Sequence, residues 1–284
     1  MITKEHVTFF RENGYVKLEG IVPKDNCDRV IEAIWDCLGK DPTDPENWYD
    51  PPKGVLSGGG MVEMYHHQSM WENRQLPAVY EAFAQLLGER KLWVSMDRVN
   101  MKPPAREEHP ELNYGFIHWD TDTSKVTYPI QRPRGVQGVL YLADTAENQG
   151  GFQCVPGIYR ELEAYLQRQP ADRNPWVPDL TGYEVEPIPG KAGDLVIWDT
   201  LLPHGNGHNH AQTPRYAQYI TMYPAREDDA KAREDRVDKW RNRKAPDGAA
   251  FPGDPRNWEQ TNFDGPPELT PLGRKLLGLD AWEE

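Results

Sequence analysis

The feature that most constrains the fold is a series of short apolar or alternating segments between residues 92 and 223, separated by turns containing glycine and proline. Alternating apolar and polar side chains are typical of strands that bury one face. The tight turn at 147–151 should join two of these strands as a hairpin, 138–142 with 152–155. We predict strands at 92–96, 98–102, 116–120, 138–142, 152–155, 184–188 (an edge strand), 195–198 and 216–223.

Helical periodicity flanks these strands on both sides. Helices at the front, strands in the middle and a helical tail indicate one β-barrel or sandwich domain with peripheral helices. Its parts would be mostly helical support over 1–90, a strand core over 91–224 and a helical or extended tail over 225–284. We predict helices at 3–12, 23–38, 77–88 and 226–244 (exposed), and from Thr270 onward.

The charge of the chain limits its partners. A net charge of −13 over 284 residues argues against a nucleic-acid partner and against an anionic membrane surface. Three scattered cysteines form neither a disulfide framework nor a zinc signature, and residues 1–20 lack the apolar stretch of a signal peptide. We therefore expect a cytoplasmic protein without a nucleic-acid or membrane partner.

The segment Phe116-Ile117-His118-Trp119-Asp120 carries the main candidate for chemistry. In an extended strand His118 and Asp120 share one face, and Trp119 points away. An imidazole and a carboxylate side by side supply two of the three ligands of a 2-His-1-carboxylate site for non-haem Fe(II). The candidate third ligand is His204, which lies 84 residues after Asp120 and is followed by a glycine that permits close backbone approach.

A second candidate is Arg215, at the start of the predicted strand 216–223. A guanidinium that begins a core strand needs a partner, and a small dicarboxylate would suit it because arginine binds carboxylates through two parallel hydrogen bonds. An ion pair with a nearby Asp or Glu is the alternative. The same four residues could instead belong to a metal- or ligand-binding jelly roll without turnover or to a sugar-isomerase-like cupin.

An ordered set of motifs resembles the phytanoyl-CoA dioxygenase-like family of Fe(II)- and 2-oxoglutarate-dependent oxygenases. The match covers most of residues 3–224 and opens with a helix, Gly14-Tyr15 and a strand. Its other motifs are Lys102-Pro103-Pro104, His118-Trp119-Asp120, Glu147-Asn148-Gln149-Gly150-Gly151-Phe152, Val155-Pro156-Gly157, Gly193-Asp194-Leu195-Val196-Ile197-Trp198-Asp199, His204-Gly205-Asn206-Gly207 and Pro214-Arg215.

The resemblance implies a double-stranded β-helix, or jelly roll, with flanking helices. It also implies that His118, Asp120 and His204 bind iron and that Arg215 grips the distal carboxylate of 2-oxoglutarate. With O2 as cosubstrate, 2-oxoglutarate would yield succinate and CO2 while an unactivated C–H bond is hydroxylated. Desaturation, cyclisation or epimerisation is the alternative outcome, whereas the presence of Asp120 disfavours halogenation.

The loops 105–114, 121–135 and 170–182 would surround the mouth of a jelly roll and so set specificity. We predict that Arg132, Arg134 and Trp176 contact the substrate, although the arginines could instead pair with nearby acids. Trp119 stays open between packing and the rim of the pocket. The remaining candidates of unassigned role are His208 and His210, for which a solvated loop is the alternative, and Trp198, which could be ordinary core.

Overall fold

The computed structural model describes residues 2–283. Its helices are α1 (Lys4–Asn13), α2 (Lys24–Leu38), α3 (Gln68–Arg74), α4 (Pro77–Leu87), α5 (Pro156–Arg160), α6 (Leu162–Arg168), α7 (Ala230–Arg241), α8 (Trp258–Asn262) and α9 (Pro271–Leu277). Its strands are β1 (Tyr15–Leu18), β2 (Leu56–Ser57), β3 (Met61–Val62), β4 (Leu92–Val94), β5 (Val99–Lys102), β6 (Val136–Tyr141), β7 (Phe152–Cys154), β8 (Glu186–Pro187), β9 (Leu195–Asp199), β10 (His204–Asn206), β11 (Arg215–Tyr219) and β12 (Met222–Pro224).

The strands form antiparallel sheets that are flanked by helices. A seven-stranded sheet has the order β1-β9-β6-β11-β5-β3-β2, a three-stranded sheet has the order β10-β7-β8, and β12 pairs with β4. Within residues 2–283, no helix is both long and apolar enough to cross a membrane.

Alternation along the central strands gives the large sheet two buried faces. Leu140 of β6 and Leu195 of β9 belong to the core that α2 and α4 cover. Their neighbours Val139 and Val196 belong to a second core, which β7 of the three-stranded sheet shares through Phe152. Successive side chains of a strand point to opposite faces. The second core therefore lies between the two sheets, and the candidate site is built at its edge.

The predicted hairpin is wrong. The strand at 152–154 does not pair with the strand at 136–141; it pairs with β10 and β8 in the smaller sheet, while β6 pairs with β9 and β11. The predicted edge strand at 184–188 is confirmed as the short β8, the outer strand of that sheet. The turn at 147–151 therefore carries the chain from one sheet to the other.

Two other predicted strands differ from the structure. Only His118 of segment 116–120 makes a β-bridge, because the N–H of Trp119 bonds to the carbonyl of Trp176 and no ladder forms. The strand predicted at 216–223 is divided: β11 ends at Tyr219, and β12 pairs with β4 in another sheet. The alternating sequence pattern at 216–223 therefore continues from the seven-stranded sheet into the sheet formed by β12 and β4.

The helix predicted at 226–244 is shorter and less exposed than expected. It spans Ala230–Arg241, and Arg236 on it is buried. The guanidinium of Arg236 donates to the carbonyl of Leu277 at the end of α9 (3.0 Å) and to that of Val94 (2.6 Å). Terminal helix carbonyls lack partners within the helix, so the arginine satisfies them and docks α7 on the body.

Candidate active site

Two chain segments bring the predicted triad together. His118 and His204 face each other in an antiparallel bridge, with main-chain N···O distances of 2.9 and 3.0 Å. Gly205 permits this approach, because a Cβ atom there would collide with the carbonyl oxygen of Phe116. Asp120 follows two residues after His118 and keeps the same side. The bridge thus replaces the predicted strand while preserving the alternation that the prediction needed.

Both imidazole rings direct their Nε2 atoms toward the carboxylate of Asp120. Nε2 of His118 lies 3.3 Å from Oδ1 of Asp120, and Nε2 of His204 lies 3.3 Å from Oδ2. The Nδ1 atoms lie near main-chain carbonyls instead, 2.9 Å from that of Leu202 for His204 and 3.4 Å from that of Phe116 for His118. A ring that donates from Nδ1 presents a lone pair on Nε2.

The three side chains can hold one metal ion. One ligand atom from each residue lies within 4.8 Å of the others, and each residue type is a ligand that Fe(II) accepts. Burial favours the neutral form of Asp120, but the two imidazoles outweigh it and hold the pKa of the carboxyl well below its usual range. Burial likewise lowers the pKa of His118, and Asp120 more than compensates and raises it. The carboxylate is thus ionised, as a metal ligand must be.

A cavity of about 370 Å³ opens onto the triad. Aromatic and sulfur-containing side chains supply its apolar wall, and strand ends supply its polar groups. Besides His118, Asp120 and His204, its lining includes Met61, Asp97, Arg98, Gln137, Phe152, Trp198, Asn206, Tyr219, Thr221, Ala250 and Phe251.

Arg215 is the first residue of β11 and is completely buried. Its Nη1 donates to Oδ1 of Asn100 (2.9 Å) and lies 3.5 Å from the hydroxyl of Tyr219, which lines the cavity. Its Nε and Nη2 are buried and have no acceptor among residues 2–283. The ion pair considered as an alternative is not observed in that part of the chain. Two buried donors on one guanidinium edge match the two oxygens of a carboxylate.

Lys102 adds a second positive charge beside Arg215, its cross-strand partner. The ammonium is buried and donates to the carbonyls of Gly207 (2.8 Å) and Tyr114 (3.2 Å). Burial and the charge of Arg215 lower the pKa of Lys102 to about 7. Lys102 belongs to the Lys102-Pro103-Pro104 motif, for which the sequence predicted no role.

Arg98 and Phe251 also escaped the sequence analysis. Arg98 is buried just before β5, and its Nη1 donates to Oε1 of Glu63 at 2.9 Å. Phe251 comes from the extended segment between α7 and α8 and lies with its ring 4.8 Å from the guanidinium carbon. Arg98, like Arg215, stands at the start of a core strand, so the same cost of an unpartnered charge marks it in the sequence.

The three residues predicted to contact substrate, and Trp119, whose role was left open, lie outside the cavity lining. Trp119 is buried instead, where its Nε1 donates to the carbonyl of Leu201 (2.9 Å). Arg132 donates to the carbonyl of Tyr159 and stacks on that ring. Trp176 is 47% exposed and Arg134 is exposed on the surface.

The structure shows the positions of Trp198, His208 and His210, whose roles the sequence did not assign. Trp198 lines the cavity with its ring centroid 4.9 Å from that of His204. His208 and His210 are exposed, with ring centroids 6.0 Å apart, and neither lines the cavity. They are the solvated imidazoles of the alternative interpretation.

Comparisons with known proteins agree with this site. The chain is 24% identical over 261 residues to a putative phytanoyl-CoA dioxygenase of Dictyostelium discoideum, which covers 76% of this chain and 74% of that protein. It is 26% identical over 246 residues to an ectoine dioxygenase of Bordetella bronchiseptica, covering 80% and 76%. The fold resembles that of the epimerase SnoN, solved with Fe3+, alpha ketoglutarate and nogalamycin RO, with a TM-score of 0.57 at 16% identity over 78% of this chain and 83% of that one.

A protein-family model also matches most of the chain. The model described as phytanoyl-CoA dioxygenase (PhyH) matches residues 10–217, which contain the triad, Arg98, Lys102 and Arg215. The chain therefore belongs to the phytanoyl-CoA dioxygenase (PhyH) family and is an Fe(II)- and 2-oxoglutarate-dependent oxidoreductase.

Proposed function

We propose that the chain hydroxylates an unactivated C–H bond of a small molecule, with Fe(II) held by Nε2 of His118, Nε2 of His204 and the carboxylate of Asp120. The observation that carries this proposal is the convergence of the three ligand atoms within 4.8 Å at one end of the cavity. The donor set fits the metal, because two neutral imidazoles and one carboxylate leave positions open for cosubstrate and O2.

The proposal places the distal carboxylate of 2-oxoglutarate on Arg215. The unpartnered Nε and Nη2 atoms fit that group, since a buried guanidinium without an anion is costly. Lys102 lies beside Arg215 and adds positive charge. When bound, iron and 2-oxoglutarate supply the oxidising power, and succinate and CO2 are released.

The chain's own residues then do three things. His118 and His204 keep their Nε2 atoms aimed at one point, because their Nδ1 atoms are directed to carbonyls. Phe152 and Trp198 pack on the ring of His204 and exclude water from that side. The cavity positions the substrate for attack.

Hydroxylation is favoured by the ectoine dioxygenase relative, which is matched over 80% of this chain. The alternative is a rearrangement with the same cofactors, which the fold similarity to an epimerase supports. We further propose that the sheets form the jelly roll of this family in one domain, and that the protein works in the cytoplasm on a metabolite.

The test is 2-oxoglutarate-dependent succinate release with Fe(II) and O2. The His204→Ala variant should lose release at least 100-fold, because one of three metal ligands is gone. The matched control is His210→Ala, which removes an exposed imidazole from the same segment and should behave as the wild type. Equal release by His204→Ala and wild type would refute the proposed centre.

A further inference from the structure

A second buried arginine lines the same cavity as the triad. Arg98 is 8% exposed, and only its Nη1 bonds to a side-chain carboxylate within 3.5 Å, that of Glu63. Its Nε atom is buried and has no acceptor among residues 2–283. The edge of the guanidinium that carries Nε is the edge that normally binds a carboxylate through two hydrogen bonds. This edge is therefore unused in a cavity where a substrate must bind.

Glu63 occupies only part of the hydrogen-bonding capacity of Arg98. The carboxylate of Glu63 also accepts hydrogen bonds from the hydroxyls of Ser57 (3.1 Å) and Tyr65 and from the N–H of Gly253 (3.2 Å). These three donors stabilise the negative charge of Glu63 independently of the arginine. Glu63 holds Arg98 in place, and the free edge keeps its capacity to donate.

The surroundings of Arg98 indicate the size and character of its ligand. Phe251 covers the guanidinium at 4.8 Å, and Met61, Phe152 and Trp198 complete an apolar lining. Asp97 also lines the cavity, with its side chain 28% exposed, but its Oδ1 accepts the main-chain N–H of Arg98 (2.6 Å) and stays 3.8 Å from Nε. Asp97 weakens the attraction for an anion without occupying the free edge.

We propose that Arg98 is the substrate-anchoring residue and that the substrate is a small carboxylic acid with an apolar or aromatic body. This inference rests on the proposed function, because it assigns the cavity to the substrate of that reaction. The carboxylate binds the free edge of Arg98, and the body lies against Phe251 and Trp198. The arginine thus determines which class of molecule is presented to the triad.

The experiment is a calorimetric titration of the Fe(II)-loaded protein under nitrogen, with saturating 2-oxoglutarate. The probes are phenylacetate and phenylacetamide, which share an aromatic body and differ in charge. Wild type should bind phenylacetate at least 10-fold more tightly than the amide. Equal binding, no binding of either probe, or displacement of 2-oxoglutarate by phenylacetate would overturn the proposal.

Two variants locate the preference. Arg98→Lys keeps the charge facing Glu63 but loses the two-donor edge, so it should lose at least 10-fold in phenylacetate affinity. Asp97→Asn keeps the oxygen that caps Arg98 and removes the repelling charge, so it should bind phenylacetate several-fold more tightly. An unchanged affinity in Asp97→Asn contradicts the proposal even if Arg98→Lys fails to fold.

The two proposals fail separately. Succinate release by His204→Ala equal to that of the wild type would refute the iron centre, whereas the probe titration measures binding and needs no turnover. A protein that releases succinate normally but shows no preference for phenylacetate retains the proposed function and loses Arg98 as the anchor. A preference retained in a folded Arg98→Lys variant has the same meaning.

Discussion

Arg215 and Arg98 are similar in burial and hydrogen bonding but differ in the residues that surround them. Each is buried, each donates through Nη1 to a protein oxygen, and each has an Nε with no hydrogen-bond acceptor among residues 2–283. Arg215 contacts the neutral Asn100 and has the cationic Lys102 opposite it. Arg98 contacts the anionic Glu63 and is covered by the ring of Phe251.

The difference in charge suggests a difference in use. A buried guanidinium without a counter-charge is destabilising, so a bound anion would stabilise the Arg215 pocket. The charge of Arg98 is already balanced by Glu63, so this pocket is stable without a bound substrate. The pockets also differ in origin, because Phe251 lies beyond residues 10–217, the part matched by the family model. In the proposed roles, the 2-oxoglutarate pocket is built from residues 10–217, whereas the substrate pocket also includes Phe251 of the tail.

The largest expected effect comes from breaking the Arg215 side. Arg215→Ala removes the partner of the distal carboxylate and should raise the Kd of 2-oxoglutarate at least 100-fold, since truncating a buried charge pair costs about 2–5 kcal/mol. Iron affinity should stay within twofold, because no metal ligand is touched. Anaerobic calorimetry measures both. A normal 2-oxoglutarate Kd would make Arg215 a purely structural residue.

The next effect sharpens the Arg98 side. Phe251→Ala removes the ring over the guanidinium and should weaken phenylacetate binding about 5- to 20-fold, the range expected for a buried aromatic contact of about 1–2 kcal/mol. Phe263→Ala is the matched control, because this tail aromatic packs on His67 and Trp258 and does not line the cavity. Equal losses in both variants would point to a general loosening of the tail.

A smaller effect depends on pH. Burial and the charge of Arg215 lower the pKa of Lys102 to about 7, so its ammonium loses its proton as pH rises through that value. The charge beside Arg215 then falls, and 2-oxoglutarate should bind several-fold more weakly at pH 8.5 than at pH 6. In Lys102→Met this slope should disappear. A slope that persists in the variant assigns the titration to another group.

The smallest effect concerns the attachment of the tail. Glu259 of α8 accepts the N–H groups of Tyr65 (2.8 Å) and His66 (2.6 Å), and burial raises its pKa to about 7. An acid whose folded pKa is raised stabilises the fold fully below its unfolded pKa, near 4.5, and loses that contribution as pH rises to 7.

We therefore expect the Tm of the wild type to fall between pH 5 and 7.5 by about 2–4 °C more than that of Glu259→Gln, which has no such proton to lose. Thermal unfolding followed by circular dichroism measures this. Parallel curves for the two proteins would show that Glu259 does not titrate in this window.

The sequence was most informative where chemistry repeats in a local pattern. His118 and Asp120 were predicted as ligands from their spacing. The cost of a charge at a strand start predicted only that Arg215 needs a partner, and the family resemblance suggested 2-oxoglutarate. The structure keeps the alternation but replaces the strand by one bridge to His204. The side chains of His118 and Asp120 still lie on one side, because their direction depends on extended backbone and not on a continuous ladder.

Failures came where partners are far apart in sequence. The turn at 147–151 suggested local pairing, yet 152–154 pairs with 204–206, and no periodicity encodes that choice. Phe251 sits in a proline- and glycine-rich tail without a repeating pattern. Trp119 stayed open between packing and the pocket rim, because its packing partner Leu201 lies 82 residues away in the sequence.

The most direct test of the central claim is a crystal structure of the protein grown under nitrogen with Fe(II) and 2-oxoglutarate. We predict iron bound by Nε2 of His118, Nε2 of His204 and a carboxylate oxygen of Asp120, with the distal carboxylate of 2-oxoglutarate on Nε and Nη2 of Arg215. Iron elsewhere, or the distal carboxylate on Arg98, would contradict the account.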